Sequence, residues 1–422
     1  MLDIRLLREH SDLVKEGVQR KGEDASKVDE ALRVDGRRRQ LVQEVEVLKS
    51  KRNTVSGDVA RMKAKGEDTS AVIGEMRGLS DHIKMLDDTV KDTDEQLHNL
   101  LLQIPNIPHS SVPVGATPAE NRVVGEWGEP PLIDFQPRPH WELAEKLKII
   151  DFARGVKIAG AGFPVYVGKG AQLERALINF FLDEGAANGY VEVFPPIVVN
   201  AASAIGTGQL PDKEGQMYAV AHDDFYLAPT AEVPVTNLYR DEILSEKQLP
   251  IKLCAYTPCF RREAGSYGKD VRGLNRVHQF NKVELVKFVH PARSYDELEG
   301  LRQDAEGLIR KLGLRYRVLL MCTGDLGFTQ SKKYDLEVWS LGQAKWLEVS
   351  SVSNFESYQA RRMNIRFRPD GGGKPEIVHT LNGSALALPR IVAALLEHYQ
   401  TPEGKVIVPR VLHEYTGFEV IG

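Results

Sequence analysis

An α+β protein, with a helical arm ahead of an antiparallel sheet, is what this sequence predicts, and three observations carry the prediction. Between Leu41 and Ile104 apolar side chains recur at alternating steps of four and three, the spacing of a coiled-coil seam. Tyr256 to Leu285 holds two strand-like runs around a glycine-rich charged segment, an antiparallel hairpin with a long cationic tip. Asp335-Leu-Glu-Val-Trp339 and Trp346-Leu-Glu-Val-Ser-Ser351 read as two further antiparallel strands.

With 422 residues the chain can form two or three domains, and its 42% apolar and 27% charged residues are ordinary for a globular protein. No apolar run reaches membrane-spanning length, and acids interrupt the first ten residues where a secretion signal would be apolar. A membrane partner is therefore not expected. Cys254, Cys259 and Cys322 suit a reducing cytoplasm, where the protein is expected to reside. Cys254 and Cys259 have no paired Cys or His motif, so no zinc site is read. With a net charge of −4, contact with nucleic acid requires a local basic patch.

Residues 2–20 read as a short helix with Leu6, Leu7, Leu13 and Val14 turned inward, closing near Gly22. The seam follows: Leu41, Val45, Leu48, Arg52, Val55, Val59 and Met62, then Val72, Met76, Leu79, Ile83, Leu86, Val90, Thr93, Leu97, Leu100 and Ile104. The interruption at Lys65-Gly66-Glu67-Asp68 makes this an antiparallel helical hairpin, about 50 Å long at 1.5 Å per residue. Arg33, Arg37, Arg38, Arg39, Lys49, Lys51, Arg52, Arg61, Lys63 and Lys65 run along its first helix among interspersed acids, which by composition alone also fits a solubilising surface. Ile104-Pro-Asn-Ile-Pro108 ends the seam. The predicted domains are 1–104 for the arm, 105–118 for a linker and 119–422 for the remainder.

In the second part, His140 to Arg154 and Ala171 to Asn188 read as helices, the latter with Leu173, Leu177, Phe180 and Phe181 inward. Tyr190 to Phe194 is a strand stopped by Pro195-Pro196. Phe225-Tyr-Leu-Ala-Pro-Thr-Ala-Glu232 is a strand running into a polar loop, whose Thr230 and Glu232 also suit a helix cap. Ser294 to Leu312 reads as a helix and Leu314 to Met321 as a strand. Strict alternation puts Glu348 and Ser350 on one strand face and Val349 on the other. Thr380-Leu-Asn-Gly-Ser384 leads into a helix through Leu388, Ile391, Val392, Leu395 and Leu396, with Arg390 in its first turns.

The same period places Arg261 with Glu263 on one hairpin strand, and Arg276, His278, Phe280, Lys282 and Glu284 on one face of the other. A core would not bury that set unpaired, whereas a solvated face seldom needs the aromatic ring in the row. The set suits an anionic, aromatic ligand. Arg261 would hold a phosphate or carboxylate, Phe280 would stack on a base, and Glu263 and Glu284 would accept from amino groups.

Phe260-Arg-Arg-Glu-Ala-Gly-Ser-Tyr-Gly268 with Arg276-Val-His-Gln-Phe280 closely resembles motif 2 of the class II aminoacyl-tRNA synthetases, in its seryl-tRNA synthetase form. Helix, strand and Pro196 resemble motif 1, which builds the dimer interface in that family. The Asn-Gly-Ser run and Arg390 resemble motif 3, with Ala385 and Pro389 where many members carry glycine. The resemblance spans essentially the whole chain. It implies a catalytic domain of antiparallel sheet flanked by helices, preceded by an arm that grips the long variable arm of the tRNA. Arg261 and Arg390 would be catalytic. ATP would lie on Arg261, Arg262, Glu263, Val277, Phe280, Glu348, Val349, Ser350, Ser351 and Arg390. Serine would lie on Thr230, Ala231, Glu232, Arg261, Glu284 and Ser384, and Mg²⁺ on Glu348 and Ser351.

The implied reaction activates L-serine with ATP to seryl-adenylate and transfers serine to the 3′ end of tRNA(Ser); whether tRNA(Sec) is also charged stays open. Two rivals are an inactive RNA-binding paralogue, which would be expected to have lost the motif charges, and a coiled-coil scaffold, which leaves the hairpin platform unexplained.

Overall fold

The computed structural model describes residues 1–264 and 272–422. The glycine-rich tip expected for the hairpin falls largely in 265–271, outside the described residues. The chain divides into two compact units, Met1–Pro105 and Asn106–Gly422.

The first unit is helical. Asp3 caps α1 (Ile4–Glu9) by accepting from Arg5 N at 2.9 Å, and α2 (Ser11–Arg20) follows after a break at His10. The single helix expected over 2–20 is thus two. The break also turns Leu13 outward, at 53% exposed, while Leu7 and Val14 are buried. The arm is α3 (Ser26–Ala64) against α4 (Ser70–Leu102), reversed around Gly66 at φ +73°. Its length is about 50–60 Å. Each seam position predicted from Leu41 to Ile104 is buried or half-buried, as four-three spacing requires. Cross-seam pairs Arg38–Asp94 and Lys49–Asp87 flank the apolar stripe. At the base, Arg8 forks onto Asp35 with two bonds of 2.7 Å and ties α1 to α3.

The second unit is built on an eight-stranded sheet: β1 (Arg122–Trp127), β2 (Val191–Glu192), β3 (Ile251–Phe260), β4 (Gln279–Val289), β5 (Tyr316–Leu320), β6 (Lys332–Ser340), β7 (Lys345–Asn354) and β8 (His379–Ala387). Their spatial order is β1-β5-β6-β7-β8-β4-β3-β2. All neighbours pair antiparallel except β2, which lies parallel to the β3 edge. Four helices share the main core with this sheet: α5 (His140–Leu147), α6 (Lys169–Ala187), α7 (Ser294–Lys311) and α8 (Leu388–His398).

The two-residue strand period separates the sheet's faces. From β4, Val283, Leu285 and Val289 join Phe180 and Phe181 of α6, Leu301 of α7 and Ile391 of α8 in the main core. Each such fully buried large apolar side chain contributes roughly 2–3 kcal/mol over leaving it exposed. The intervening Val286 and Phe288 face a second cluster with Ala231, Val235, Ile365 and Phe367. Further along that face, Phe280, Lys282 and Glu284 open into a cleft. The stretch expected as a linker is bonded into this unit from its second residue onward. Asn106 Nδ2 donates to Thr329 O (3.0 Å) and Phe355 O (2.9 Å), and Thr323 N donates to Pro113 O (3.0 Å). Prolines there fix an extended path, and the strand-end carbonyls accept its donors.

Candidate active site

The hairpin is β3 and β4, paired from Gln279 with Phe260 to Phe288 with Ile251. It ends earlier than alternation suggested. Arg261 N still bonds His278 O at 2.9 Å, but Glu263 turns into positive φ (+48°), so its position follows a turn rather than the strand period. The face inferred for His278 is corrected for the same reason: the residue precedes β4. Its ring stacks on Phe163 (centroids 5.3 Å apart), and its Nδ1 meets Tyr218 Oη at 2.8 Å, away from the cleft.

The cleft has a volume of about 450 Å³. One half presents cations and a ring. Arg261 lies 5.3 Å from the Phe280 ring centre while its Nε donates to Pro229 O at 3.3 Å. Arg276 pairs with Glu263 at 3.1 Å. Arg390, in the first turn of α8, donates from Nη1 to Glu348 O (2.7 Å) and from Nε to Asn275 O (3.2 Å). Val277, Val349, Ser350 and Ser351 complete this wall.

The other half is acidic. Glu284 Oε2 accepts from Thr230 Oγ1 (3.1 Å) and Ser384 Oγ (3.5 Å), and Lys282 Nζ lies 2.5 Å from it. Glu232 accepts from Gln359 Nε2 at 2.7 Å. Asn382 Nδ2 bridges the two carboxylates, 2.8 Å from Glu232 and 3.1 Å from Glu284. Burial, and then the neighbouring Glu284, push the Glu232 carboxyl up to about 7. Lys282 beside Glu284 offsets only part of this negative charge. The pocket therefore suits a small cation-bearing ligand.

Glu348 and Ser351 reach one face by a β-bulge, which strict alternation had missed. Leu336 pairs with Ser350 and Glu337 with Glu348, leaving Val349 as the extra residue. Beyond it Ser351 pairs with Asp335, so Glu348 and Ser351 both face the cleft. Ser350, buried in the cleft wall, pairs with the core residue Leu336, and its hydroxyl donates to Ser384 O at 2.7 Å. Burial raises the Glu348 carboxyl, but Arg390, Lys333, Arg261 and Lys282 outweigh it and hold it below the usual range. Its side chain stays 46% exposed to the cleft.

Residues 1–108 match the model of the seryl-tRNA synthetase N-terminal domain, and residues 218–399 that of the tRNA synthetase class II core domain (G, H, P, S and T). The serine--tRNA ligase of Salinibacter ruber is 53% identical over 425 residues, covering 100% of this chain and 99% of that protein. That of Carboxydothermus hydrogenoformans is 55% identical over 422 residues, with 100% and 99% covered. The chain belongs to the seryl-tRNA synthetase family. The crystal structure of a seryl-tRNA synthetase from Pyrococcus horikoshii complexed with ATP is similar at a TM-score of 0.94 and 38% identity, covering 100% of this chain and 99% of that one.

In a seryl-tRNA synthetase frame, the cleft collects all but two of the residues expected at the site. Arg262 is exposed and ties its backbone N to Gln216 O (3.0 Å), and Ala231 is buried in the second core cluster. The sequence reading assigned no role to three residues that hold the two carboxylates: Asn382 and Lys282, which line the cleft, and Gln359 behind it. Asn382 stands two residues before Ser384 on β8, so the strand period offered a signal for it. Lys282 was placed on the Glu284 face by alternation but given no role there. Gln359, distant in sequence from Glu232, had no local signal at all.

Proposed function

We propose that this cleft activates serine with ATP and that the enzyme then charges tRNA(Ser). The observation that carries this reading is the cleft's division: cations and a ring at one end, two bridged carboxylates at the other, and Arg261 between them beside Pro229. Phe280 stacks on adenine and Glu263 accepts from its amino group. Glu232 and Glu284 hold the serine ammonium and hydroxyl, with Thr230 and Ser384 lending hydroxyls to Glu284. The serine carboxylate oxygen attacks the α-phosphorus, its bond to the bridging oxygen breaks, and pyrophosphate leaves. Arg261 neutralises charge at the α-phosphate and Arg390 that of the outer phosphates, so the chain contributes positioning and charge stabilisation without a nucleophile. The terminal ribose hydroxyl of the tRNA next attacks the seryl carbonyl, and AMP leaves.

The donor set also fits Mg²⁺. Glu348 and Ser351 offer oxygens from one face, Glu348 favours its ionised form, and Asp335 Oδ1 beside Ser351 is buried with no hydrogen-bond partner. Glu348 and Ser351 would hold the ion, which when bound supplies positive charge against the phosphates.

The basic first arm helix is read as the tRNA-binding element, with Arg37, Arg39, Lys51 and Lys63 exposed. The β2 edge, with Val191 63% and Phe194 84% exposed, is read as the homodimer interface. Three buried free thiols suit a cytoplasmic setting, and no helix among the described residues is long and apolar enough to cross a membrane.

The decisive experiment is pyrophosphate exchange with each of the twenty amino acids. Exchange is expected with serine, to require Mg²⁺ and to need no tRNA. Equal exchange with threonine or alanine at matched concentrations overturns the reading.

A further inference from the structure

Behind the cleft, and touching none of its proposed ligands, lies a buried polar node. His140, at the start of α5, and Glu397, near the end of α8, are both fully buried, with His140 Nδ1 2.8 Å from Glu397 Oε1. His140 Nε2 accepts from Leu274 N at 2.9 Å. That bond requires a lone pair on Nε2, so the ring proton sits on Nδ1 and is donated to Glu397. The Glu397 carboxylate also accepts from His140 N (2.9 Å), Gly342 N (3.0 Å), Gln343 Nε2 (3.1 Å) and Ser340 Oγ. From there a second branch returns to the cleft wall: Asn275 Nδ2 donates to Gln343 Oε1 at 2.8 Å.

Both branches end on one short segment, Leu274 and Asn275, where the chain comes back from the hairpin tip to β4. Both residues line the cleft, and Asn275 O is the acceptor that orients Arg390 Nε. Arg390 and Glu397 lie seven residues apart on α8, two turns along one face. Gly273 permits the approach. It has φ +71°, and a Cβ there would lie 2.3 Å from His140 Nε2. A buried carboxylate–imidazole pair adds little stability over apolar residues of the same size, so packing alone does not call for it.

We propose that His140 and Glu397 are positioning residues for the nucleotide half of the active site. Acting through Leu274 N and through Gln343 to Asn275, they clamp the returning hairpin segment onto the helix that carries Arg390. The proposal rests on reading the cleft as an ATP site.

The test uses serine-dependent pyrophosphate exchange of the full-length enzyme, with KM for ATP and for serine and the melting temperature measured together. His140→Asn keeps a donor for Glu397 and loses the acceptor for Leu274. It should raise KM for ATP about five- to tenfold, the effect of one anchoring hydrogen bond, with KM for serine within twofold. His140→Gln keeps an acceptor within reach of Leu274 and should restore most of the ATP affinity. Gly273→Ala keeps the His140 and Glu397 side chains, pushes the segment off His140 and should reproduce the ATP defect even where a His140 variant fails to fold. Melting temperatures that fall while KM for ATP stays at the wild-type value in all three variants overturn the proposal. Wild-type enzyme that shows no serine-dependent exchange overturns the underlying reading instead, so the two failures are distinct.

Discussion

Charge at single residues decides how the cleft works, and Glu232 is the sharpest case. In the ligand-free pocket its carboxyl is raised to about 7 by burial and by Glu284, yet a serine ammonium calls for the ionised form. Lowering the pH therefore protonates the group that must bind, and affinity falls. KM for serine should rise about tenfold from pH 8 to pH 6, while KM for ATP stays flat. Glu232→Gln should bind serine poorly at both values and lose that slope; a slope that survives the substitution assigns the titration elsewhere. Arg261→Ala should lower the exchange rate roughly 10²- to 10³-fold, the scale for removing one transition-state charge partner. A loss of only a few-fold would move the chemistry away from the hairpin. Arg261, Phe280 and Glu284 were legible because they sit in one contiguous pattern of strand and charge. Gln359 was not, because its contact with Glu232 exists only once distant segments meet.

Elements show where period-based reading holds and where it fails. The seam from Leu41 to Ile104 was legible position by position, because a two-helix arm buries one stripe between its own helices. On the sheet, alternation placed Phe280, Lys282 and Glu284 correctly and failed at three local departures. A turn takes Glu263 out of the strand period, the late start of β4 turns His278 away, and the bulge at Val349 puts Ser351 rather than Ser350 on the strand face of Glu348. A bulge depends on pairing between strands, and no single run of residues declares it. The parallel β2 edge was hidden for the same reason. That edge carries its own prediction, because Phe194 and Val191 present apolar surface at the outermost strand of the sheet. Phe194→Asp should shift the protein toward monomer in light scattering at micromolar concentration, with little change in melting temperature. A dimer that persists unchanged would place the interface on another face.

At the scale of the whole molecule, two units invite a division of labour: every residue proposed for activation lies in Asn106–Gly422, and the arm lies in Met1–Pro105. The structure shows where the arm can be shortened without harming its base. Arg38 and Asp94 pair across the seam, so the chain at Arg39 and the chain at Thr93 run side by side. Below that rung lie the Arg8–Asp35 fork and the buried Leu97, Leu100, Leu101 and Leu102, which hold the base together. Excising residues 40–92 and joining the ends with a short glycine-serine turn therefore removes the outer rod alone. Serine-dependent exchange by this variant should stay within about twofold of wild type, since no proposed ligand contact is touched. Charging of tRNA(Ser) should collapse, because the excised helix carries Lys49, Lys51, Arg61 and Lys63, the cations proposed to meet RNA phosphates. Full-length enzyme should also lose tRNA affinity steeply with added salt. Replacing the exposed Arg37 and Arg39 by alanine should flatten that dependence by about two in log–log slope, at up to one released counterion per lost contact. Arg38 is left in place because its pairing with Asp94 is structural. Exchange and charging measured on the same shortened protein separate the possibilities: loss of both makes the arm a structural support, and retention of both removes it from tRNA binding.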